Sequence, residues 1–410
     1  MTKLEQQALE YHAGGQRGKI AIQVTKPVTS QNDLALAYSP GVAVPCIEIN
    51  KNPAKAYDYT AKGNLVGVIT NGTAVLGLGD IGALAGKPVM EGKAVLFKKF
   101  AGIDAFDIEI DEADPDKLVE IIAALQPTFG GINLEDIKAP ECFAVERRLR
   151  DRLAIPVFHD DQHGTAIVVG AGFMNALHLT GRDISLVKVV CSGAGAAALA
   201  CLDMLLDLGV KRENVYVCDS RGVITTSREL TEEKRVWAQD TDAKTLSDVI
   251  GMADVFLGLS GPGLLKQDDV KKMAARPIVF ALANPEPELR PELVREVAPD
   301  AIVATGRSDY PNQINNALCF PYLFRAALDS AATTINQAMK RACVLALAEM
   351  ARSDAQFGRE YIVPTLLDKR LLTGVTTKIA AAACESGVAR KELDPAAYRA
   401  RLEELAQELL

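Results

Sequence analysis

The sequence predicts an α/β protein with more than one domain, built around a parallel sheet that has helices on its faces. A chain of 410 residues suggests two or three domains, because a domain averages about 150 residues. The hydrophobic fraction of 49% and the charged fraction of 24% are typical of a globular protein. From Val187 onward, short apolar runs alternate with helical or turn-rich stretches. That order is the one a doubly wound parallel sheet requires.

Changes in this pattern divide the chain into three parts. Residues 1–155 mix glycine-rich turns with apolar runs at 64–70 and 94–100, and we expect an N-terminal α/β domain there. Residues 156–325 contain the regular alternation of strands and helices. Residues 326–410 carry mainly helical patterns, and we expect them to form a C-terminal helical segment.

The charge balance argues against a nucleic-acid or membrane partner. The chain has 45 Lys and Arg against 53 Asp and Glu, a formal net charge of −8, and it has no long basic run. No stretch reaches about 18 uninterrupted apolar residues, and the first ten residues have no apolar core of the kind a secretory signal has. We therefore expect a cytoplasmic protein. Its eight cysteines have no zinc-site spacing, which predicts reduced, mostly buried thiols.

The clearest local signal is the segment 192–198, SGAGAAA, which lies between a predicted strand and a predicted helix. Its two glycines permit a tight turn and let a pyrophosphate approach the helix N-terminus, where free amides and the helix dipole favour an anion. A second strand follows and ends at Asp219, which is placed to bond the hydroxyls of an adenosine ribose. We predict a Rossmann-type dinucleotide-binding domain; the alternative is a tight turn without a ligand. The predicted cofactor-binding residues here are Gly193, Ala194, Gly195, Ala196, Ala197, Asp219, Ser220 and Arg221.

The identity of the dinucleotide stays open on these residues alone. Asp219 favours NAD, because its carboxylate would meet the ribose 2′ position. Ser220 and Arg221 follow at once and are able to hold the 2′-phosphate of NADP.

Two acidic segments predict a metal site. Glu135 and Asp136 follow one apolar stretch, and Asp161 follows another, at places where strands could end and side chains converge on a cleft. Three carboxylates without Cys or His at zinc spacing suit a hard divalent ion, Mg²⁺ or Mn²⁺. The alternative is that Glu135 and Asp136 are exposed loop acids and that Asp161 is a helix N-cap.

Other side chains are candidates for the chemistry. Lys93 precedes the apolar run 94–100, and a lysine entering a buried strand needs a counter-charge or loses its proton, so it is a candidate base. The alternative is a strand-end lysine that reaches solvent. Asn284 lies at the end of a predicted strand, where an amide is able to bond the nicotinamide or a substrate carboxylate. A turn-forming asparagine is the alternative there.

Seven motifs, taken together and in order, resemble those of the malic enzyme family. They are YSPGVA, EGKAVLFKKFAGID, INLEDI, FHDDQHGTA, VCSGAGAAA, ALANPEPE and GRSDYPNQINN. The resemblance covers about residues 1–390 and is closest to the bacterial form whose chain often carries an extra phosphotransacetylase-like domain. That domain is expected to be absent here, because the chain ends at Leu410.

The resemblance implies a role for most of the candidates. The implied catalytic residues are Tyr38 as general acid, Lys93 as general base and Asp160, which orients a metal ligand or the lysine. The implied metal ligands are Glu135, Asp136 and Asp161. The implied substrate and nicotinamide contacts are Asn284, Asn315 and Asn316. The chain departs from the larger eukaryotic relatives at Ala74, where they carry an arginine that helps to bind a substrate carboxylate.

The activity that the resemblance implies is the oxidative decarboxylation of L-malate to pyruvate and CO₂. It implies reduction of NADP, or of NAD, with Mg²⁺ or Mn²⁺ as a second cofactor; NADP is favoured, because the close bacterial relatives commonly prefer it. A homodimer or larger homo-oligomer is expected. The alternatives are a malolactic or oxaloacetate-decarboxylating enzyme on the same fold, or a non-catalytic nucleotide-sensing module.

Overall fold

The computed structural model describes residues 2–409, without the side chain of Leu76. The N-terminal half contains the helices α1 (Lys3–Ala13), α2 (Gln31–Ala37), α3 (Ala43–Lys51), α4 (Ala56–Tyr59), α5 (Ala83–Ala101), α6 (Pro115–Ala124), α7 (Glu141–Arg152) and α8 (Asp160–Thr180). Its strands are β1 (Leu65–Thr70), β2 (Asp104–Glu109), β3 (Gly131–Leu134) and β4 (Val157–His159). These four strands form one parallel sheet in the order β2-β1-β3-β4.

A second sheet follows along the chain. Its strands are β5 (Val189–Ser192), β6 (Val215–Asp219), β7 (Gly222–Val223), β8 (Val255–Gly258), β9 (Ile278–Ala281) and β10 (Ile302–Thr305). The helices between them are α9 (Ala196–Leu208), α10 (Glu232–Arg235), α11 (Leu246–Val249), α12 (Gln267–Val270) and α13 (Pro291–Val297). The order is β10-β9-β8-β5-β6-β7, and all neighbours are parallel except β7, which runs antiparallel to β6. The predicted α/β class is confirmed.

Four helices complete the chain: α14 (Phe320–Asp329), α15 (Gln337–Arg352), α16 (Arg370–Glu385) and α17 (Pro395–Leu409). They pack on one another and on the helices of the preceding segments, since α14 and α17 contact α5 and α15 contacts α8. One hydrophobic core runs through this region, with Phe97 of α5 in edge contact with Phe320 and Phe324. No helix within residues 2–409 has the length and hydrophobicity needed to cross a bilayer.

The structure differs from the expectation at residues 94–100. The sequence suggested a buried strand, but these residues lie in the second half of the 19-residue helix α5. The buried positions Met90, Ala94 and Phe97 recur at spacings of four and three, which places them on one face of a helix. The helix ends at Gly102, whose φ of 64° provides the left-handed C-cap.

The predicted domain boundaries stay predictions. Strand β4, at residues 157–159, pairs with β3 and therefore belongs to the first sheet, just beyond the boundary predicted at residue 155. Helix α8 leads directly from β4 toward the second sheet and packs closely on α9.

Candidate active site

Adjacent strand ends bring the predicted metal carboxylates together. Strands β3 and β4 are parallel neighbours in which Leu134 is paired with His159, so the residues that follow each strand emerge side by side. Glu135, Asp136 and Asp161 each offer a carboxylate oxygen, and these oxygens lie within 4.8 Å of one another.

The alternative interpretation of these acids does not fit the structure. Glu135 and Asp136 are 5% and 4% exposed, so they are not solvated loop acids. Asp161 is the second residue of α8, while the N-cap position belongs to His159, which makes no side-chain cap.

The loop that carries the acids is held in an unusual conformation. Asp136 has a φ of 54°, in the left-handed region that non-glycine residues rarely adopt. Its N–H donates to Asp161 Oδ2 at 2.8 Å, and its carbonyl accepts from the N–H of Ala74 at 3.0 Å. Ala74 therefore helps to order the acidic loop through its backbone.

Lys93 lies in the middle of α5 and points into this acidic cluster. Its Nζ is 2.6 Å from Asp160 Oδ2 and 2.8 Å from Glu135 Oε1, and it lies 4.3 Å from the centre of the Phe320 ring. The side chain is only 10% exposed, so it does not reach solvent. Burial lowers the pKa of Lys93, but the Asp160 and Glu135 carboxylates outweigh burial and raise this pKa above its ordinary value. The lysine therefore holds its proton in this arrangement.

The cluster carries an excess of negative charge. Four carboxylates, of Glu135, Asp136, Asp160 and Asp161, surround the single cation of Lys93. Burial and the three neighbouring carboxylates raise the pKa of Glu135 well above its usual value, against the opposing effect of Lys93. A hard divalent cation fits such a set of oxygen donors, because it supplies the missing positive charge.

Asp160 is fixed by residues from three parts of the chain. It is fully buried, and its Oδ2 accepts from Asn316 Nδ2 at 3.1 Å as well as from Lys93. The side-chain oxygen Oδ1 of Asn316 accepts in turn from Thr165 Oγ1 at 3.0 Å. A Cβ at position 164 would overlap the Asp160 carboxylate, so Gly164 is required there.

The three predicted asparagines are engaged in different ways, and of these only Asn316 has a described hydrogen bond to the cluster. The structure places the Asn316 amide against Asp160, and Asn315 Oδ1 accepts from the N–H of Ala317, capping a short 3₁₀ turn. Asn284 is exposed after β9, and its backbone approaches Gly77 of the first-sheet loop, where a Cβ would lie 2.8 Å from its carbonyl oxygen. The loop that follows β1 and the loop that follows β9 therefore meet at Asn284.

Tyr38 is not brought to this cluster. It is the C-cap of α2 and is 77% exposed. Within residues 2–409, no hydrogen bond joins its phenol to Lys93 or to the carboxylates. The helices α1 to α4 have no buried residues, so this N-terminal arm has little packing on its own chain.

A cleft of about 730 Å³ runs along the end of β5 and the start of α9. Gly193 has a φ of 118°, and a Cβ there would overlap the carbonyl of Leu259, so only glycine fits. A Cβ at Gly195 would meet nothing within 4 Å, which leaves room for a ligand. Helix α9 starts at Ala196 without a side-chain cap, so its first amides are available to an anion. The loop therefore fits a dinucleotide pyrophosphate.

Asp219 lies at the far end of this cleft and has cationic neighbours that the sequence did not suggest. Arg228 Nη2 is 2.9 Å from both of its carboxylate oxygens, and Lys234 Nζ is 3.1 Å from Oδ2. The N–H of Arg221 donates to the same carboxylate at 2.9 Å. Burial raises the pKa of Asp219, but the hydrogen bonds from these three residues outweigh it and hold the pKa below its usual value. Lys234 and Ser220 line the cleft.

Two residues that the sequence did not indicate also contact the cluster around Lys93. Asn133 Nδ2 donates to Glu135 Oε2 at 2.8 Å, and Phe320 provides the ring beneath Lys93. The position of Asn133 two residues before Glu135 was the available signal, because alternate residues of a strand share a face. No signal in the sequence indicated Phe320, because it is 227 positions from Lys93 in the chain.

The two sheets, the glycine loop at a strand-to-helix turn and the buried lysine and carboxylates define a dinucleotide-binding α/β protein with a candidate catalytic centre. Family models agree with this class: "Malic enzyme, N-terminal domain" matches residues 17–150, and "Malic enzyme, NAD binding domain" matches residues 162–388. The chain belongs to the malic enzyme family. It therefore contains an NAD-binding domain of that family.

Individual relatives are similar over nearly the whole chain. An NADP-dependent malic enzyme of Escherichia coli is 60% identical over 407 residues, which is 95% of this chain and 54% of that protein. One of Halomonas elongata is 54% identical, over 97% of this chain and 98% of that protein. The crystal structure of malic enzyme from Pyrococcus horikoshii has a TM-score of 0.92 at 43% identity, covering 99% of this chain and 97% of the other. The chain spans about half the length of several curated relatives that it matches.

Proposed function

We propose that this chain catalyses the oxidative decarboxylation of L-malate to pyruvate and CO₂ with reduction of NADP, and that it requires Mg²⁺ or Mn²⁺. The observation that carries the proposal is Lys93, buried between Glu135 and Asp160 beside the three-carboxylate cluster. A protein that only sensed nucleotides would have no use for a buried lysine and four acids at this cost in desolvation. The family membership supports the same activity.

The chain's own residues would divide the chemistry as follows. Glu135, Asp136 and Asp161 would hold a divalent cation, which would supply positive charge to the oxygens of malate. The 193–197 loop would hold the pyrophosphate of the dinucleotide, whose nicotinamide would supply the hydride acceptor for C2.

Lys93 removes the proton from the C2 hydroxyl, and Asp160, fixed by Asn316, keeps the amine oriented toward it. Lys93 is protonated when its neighbouring carboxylates are not compensated. A cation held by Glu135 would offset that carboxylate and so lower the pKa of Lys93 toward the range in which its amine accepts a proton. Tyr38 protonates C3 of the enol that remains after CO₂ leaves. Asn284 and Asn315 contact the substrate or the nicotinamide.

A product assay distinguishes this activity from the alternatives. Malate with NADP⁺ and Mn²⁺ is expected to give pyruvate and NADPH in equal amounts, and a chelator is expected to stop the reaction. Lactate formed without net NADPH would identify a malolactic enzyme, and oxaloacetate consumption without malate turnover would identify a decarboxylase. No turnover of either substrate would favour a nucleotide-sensing module.

We propose that the preference for NADP depends on the cations around Asp219. Arg228 and Lys234 bond this carboxylate through their side chains, and Arg221 follows it closely in the chain and donates its backbone N–H to it, at the place where a 2′-phosphate would lie. Replacing Arg221 or Lys234 with alanine is expected to lower kcat/KM for NADP by about tenfold and kcat/KM for NAD far less, because only NADP carries the extra phosphate. The measurement is kcat/KM for both cofactors in each variant.

The control for this prediction is Arg235→Ala. Arg235 neighbours Lys234 but donates to the carbonyl of Leu230 instead of Asp219. This variant is expected to keep the wild-type ratio of the two cofactors. Equal losses for NADP and NAD in the Arg221 and Lys234 variants, or a wild-type protein that strongly prefers NAD, would contradict the assignment.

We propose a homodimer in which residues 20–52 of the N-terminal arm pack on a second copy. The arm exposes apolar side chains that its own chain does not cover, among them Leu36 at 67% and Val44 at 64%. A concentration of exposed apolar side chains in one segment is typical of a protein interface. Tyr38 lies on this arm, so its surroundings in the assembly differ from those in one chain.

The double variant Leu36→Asp/Val44→Asp is expected to sediment as a monomer and to lose activity, whereas wild type sediments as a dimer or larger oligomer. Leu186→Asp is the control, because Leu186 is 68% exposed but lies outside the arm. A monomeric and active wild-type protein would contradict the proposal. Analytical ultracentrifugation at micromolar concentration provides the measurement.

We also propose that the protein works in the cytoplasm. All eight cysteines are free thiols in the described structure, and most of them are buried. Unpaired cysteines are typical of a reducing compartment.

A further inference from the structure

A separate cavity of about 340 Å³ lies between α8, α9 and α15, on the side of α8 away from the carboxylate cluster. It adjoins the dinucleotide cleft, because Phe143, Leu199 and Glu233 line both. Neither the proposed chemistry nor the dinucleotide accounts for the polar groups on its floor.

The floor of the cavity carries hydrogen-bond donors that lack acceptors. Lys340 is 6% exposed, and its one hydrogen bond among the described residues joins Nζ to His163 Nδ1 at 3.2 Å. The opposite ring nitrogen of His163 is bonded to Glu146, so Nδ1 is the acceptor and two N–H groups of the lysine remain. Gln162 Nε2 is buried and has no partner in residues 2–409. Buried donors without acceptors are unfavourable, so this floor suits a ligand that brings acceptor oxygens.

The charge of Lys340 is not cancelled by a close acid. No carboxylate lies within 4.0 Å of its Nζ in the described part of the chain. Burial lowers the pKa of Lys340 to about 8, which leaves most of the side chain protonated at neutral pH. The lysine therefore offers both a positive charge and two donors to the cavity.

The walls and the mouth restrict the kind of anion. The walls are mainly apolar, with Ala166, Leu199, Met204 and Trp237 facing the space. Two carboxylates, of Asp203 and Glu233, also lie among the lining residues. Their repulsion grows with the charge of the ligand, so they oppose a dianion such as phosphate more strongly than a monoanion.

We infer that this cavity is a second ligand site, which binds a small monocarboxylate with an apolar body. The carboxylate accepts from Lys340 and Gln162, and the hydrocarbon part packs on Leu199, Met204 and Trp237. The site needs neither the metal nor the dinucleotide, so it can be tested in their absence. The test does not depend on which reaction the protein catalyses.

The chain carries its own reporter, since Trp237 is its only tryptophan and is 2% exposed at the cavity wall. Titration of the full chain with 4-methylpentanoate is expected to change the tryptophan fluorescence saturably, with a Kd of about 1 mM for so small a ligand. The neutral isostere 4-methylpentanamide is expected to bind at least about tenfold more weakly, because it has no charge for Lys340. Inorganic phosphate is expected to give no saturable change.

Two variants test the site independently. Lys340→Met removes the charge and is expected to raise the Kd of 4-methylpentanoate at least about tenfold. Ala200→Leu keeps the lysine but fills the space from α9, and it is expected to abolish the fluorescence change, which covers the case in which the methionine variant does not fold. Arg341→Met is the control, because Arg341 neighbours Lys340 but bonds Asp207 at the surface; wild-type affinity is expected.

Several results would overturn the inference. They are the absence of a saturable change in the wild-type chain, equal affinity for the carboxylate and the amide, tighter binding of phosphate than of the carboxylate, and unchanged affinity in both the Lys340→Met and Ala200→Leu variants.

Discussion

Replacing Lys93 with alanine is expected to lower malate turnover by about 10³-fold or more, because general base catalysis contributes on that scale and no other amine lies in the cluster. Binding of NADP is expected to stay within a few-fold of wild type, since the 193–197 loop does not contact Lys93. The measurements are kcat with saturating malate and Mn²⁺, and the Kd of NADPH from its fluorescence. Activity within tenfold of wild type would show that Lys93 is not the base.

The loss must be separated from a loss of folding, because Lys93 is the only cation among four carboxylates. Removing one partner of a buried ion pair destabilises a protein by about 3–5 kcal/mol. Circular dichroism and NADPH binding report whether the variant is folded. Added ethylamine is expected to restore part of the activity of Lys93→Ala, since it returns an amine to the space; a merely structural lysine would not produce a rescue that rises with pH.

Lys98→Ala is the matched control on the same helix. Lys98 is 60% exposed and pairs with Asp104, which is 52% exposed, so this ion pair contributes little to stability. The variant removes one positive charge from α5 without reaching the cluster. We expect wild-type turnover.

The parts of the site that follow from the ends of parallel strands could be predicted from the sequence. Glu135 and Asp161 are far apart in the chain, but each comes directly after an apolar run, and adjacent strands end at the same edge of a sheet. The glycine loop was recognisable for a similar reason. Gly193 stands where a strand turns into a helix, and no side chain fits against Leu259 at that turn.

Other parts depend on contacts for which the local sequence has no signal. The run 94–100 is apolar enough for a strand or a buried helix, and Pro88 and Gly92 obscure the helical pattern before it. Arg228 and Lys234 reach Asp219 only because the chain folds back after β7. For Tyr38, the missing information is of another kind, since an arm without packing on its own chain has no fixed environment within one copy.

Asp161→Asn is expected to raise the Kd for Mn²⁺ by at least about 100-fold and to reduce divalent-dependent turnover in proportion, because it removes one of three charged oxygen donors. The substitution keeps the shape of the side chain, and its amide oxygen is still able to accept from the N–H of Asp136, which Asp161 Oδ2 does at 2.8 Å. The acidic loop should therefore keep its conformation. Calorimetric titration with Mn²⁺ in the absence of malate and dinucleotide measures the affinity directly.

Asp268→Asn is the control for this substitution, because Asp268 is 82% exposed and pairs with Lys271 on the surface. It is expected to bind Mn²⁺ and turn over malate as wild type does. Binding of NADPH to Asp161→Asn is expected to be nearly unchanged, since the cleft along α9 is built from other residues. Wild-type Mn²⁺ affinity in Asp161→Asn would remove this residue from the ligand set, whereas a parallel loss of NADPH binding would mean that the carboxylate supports the fold instead of the ion.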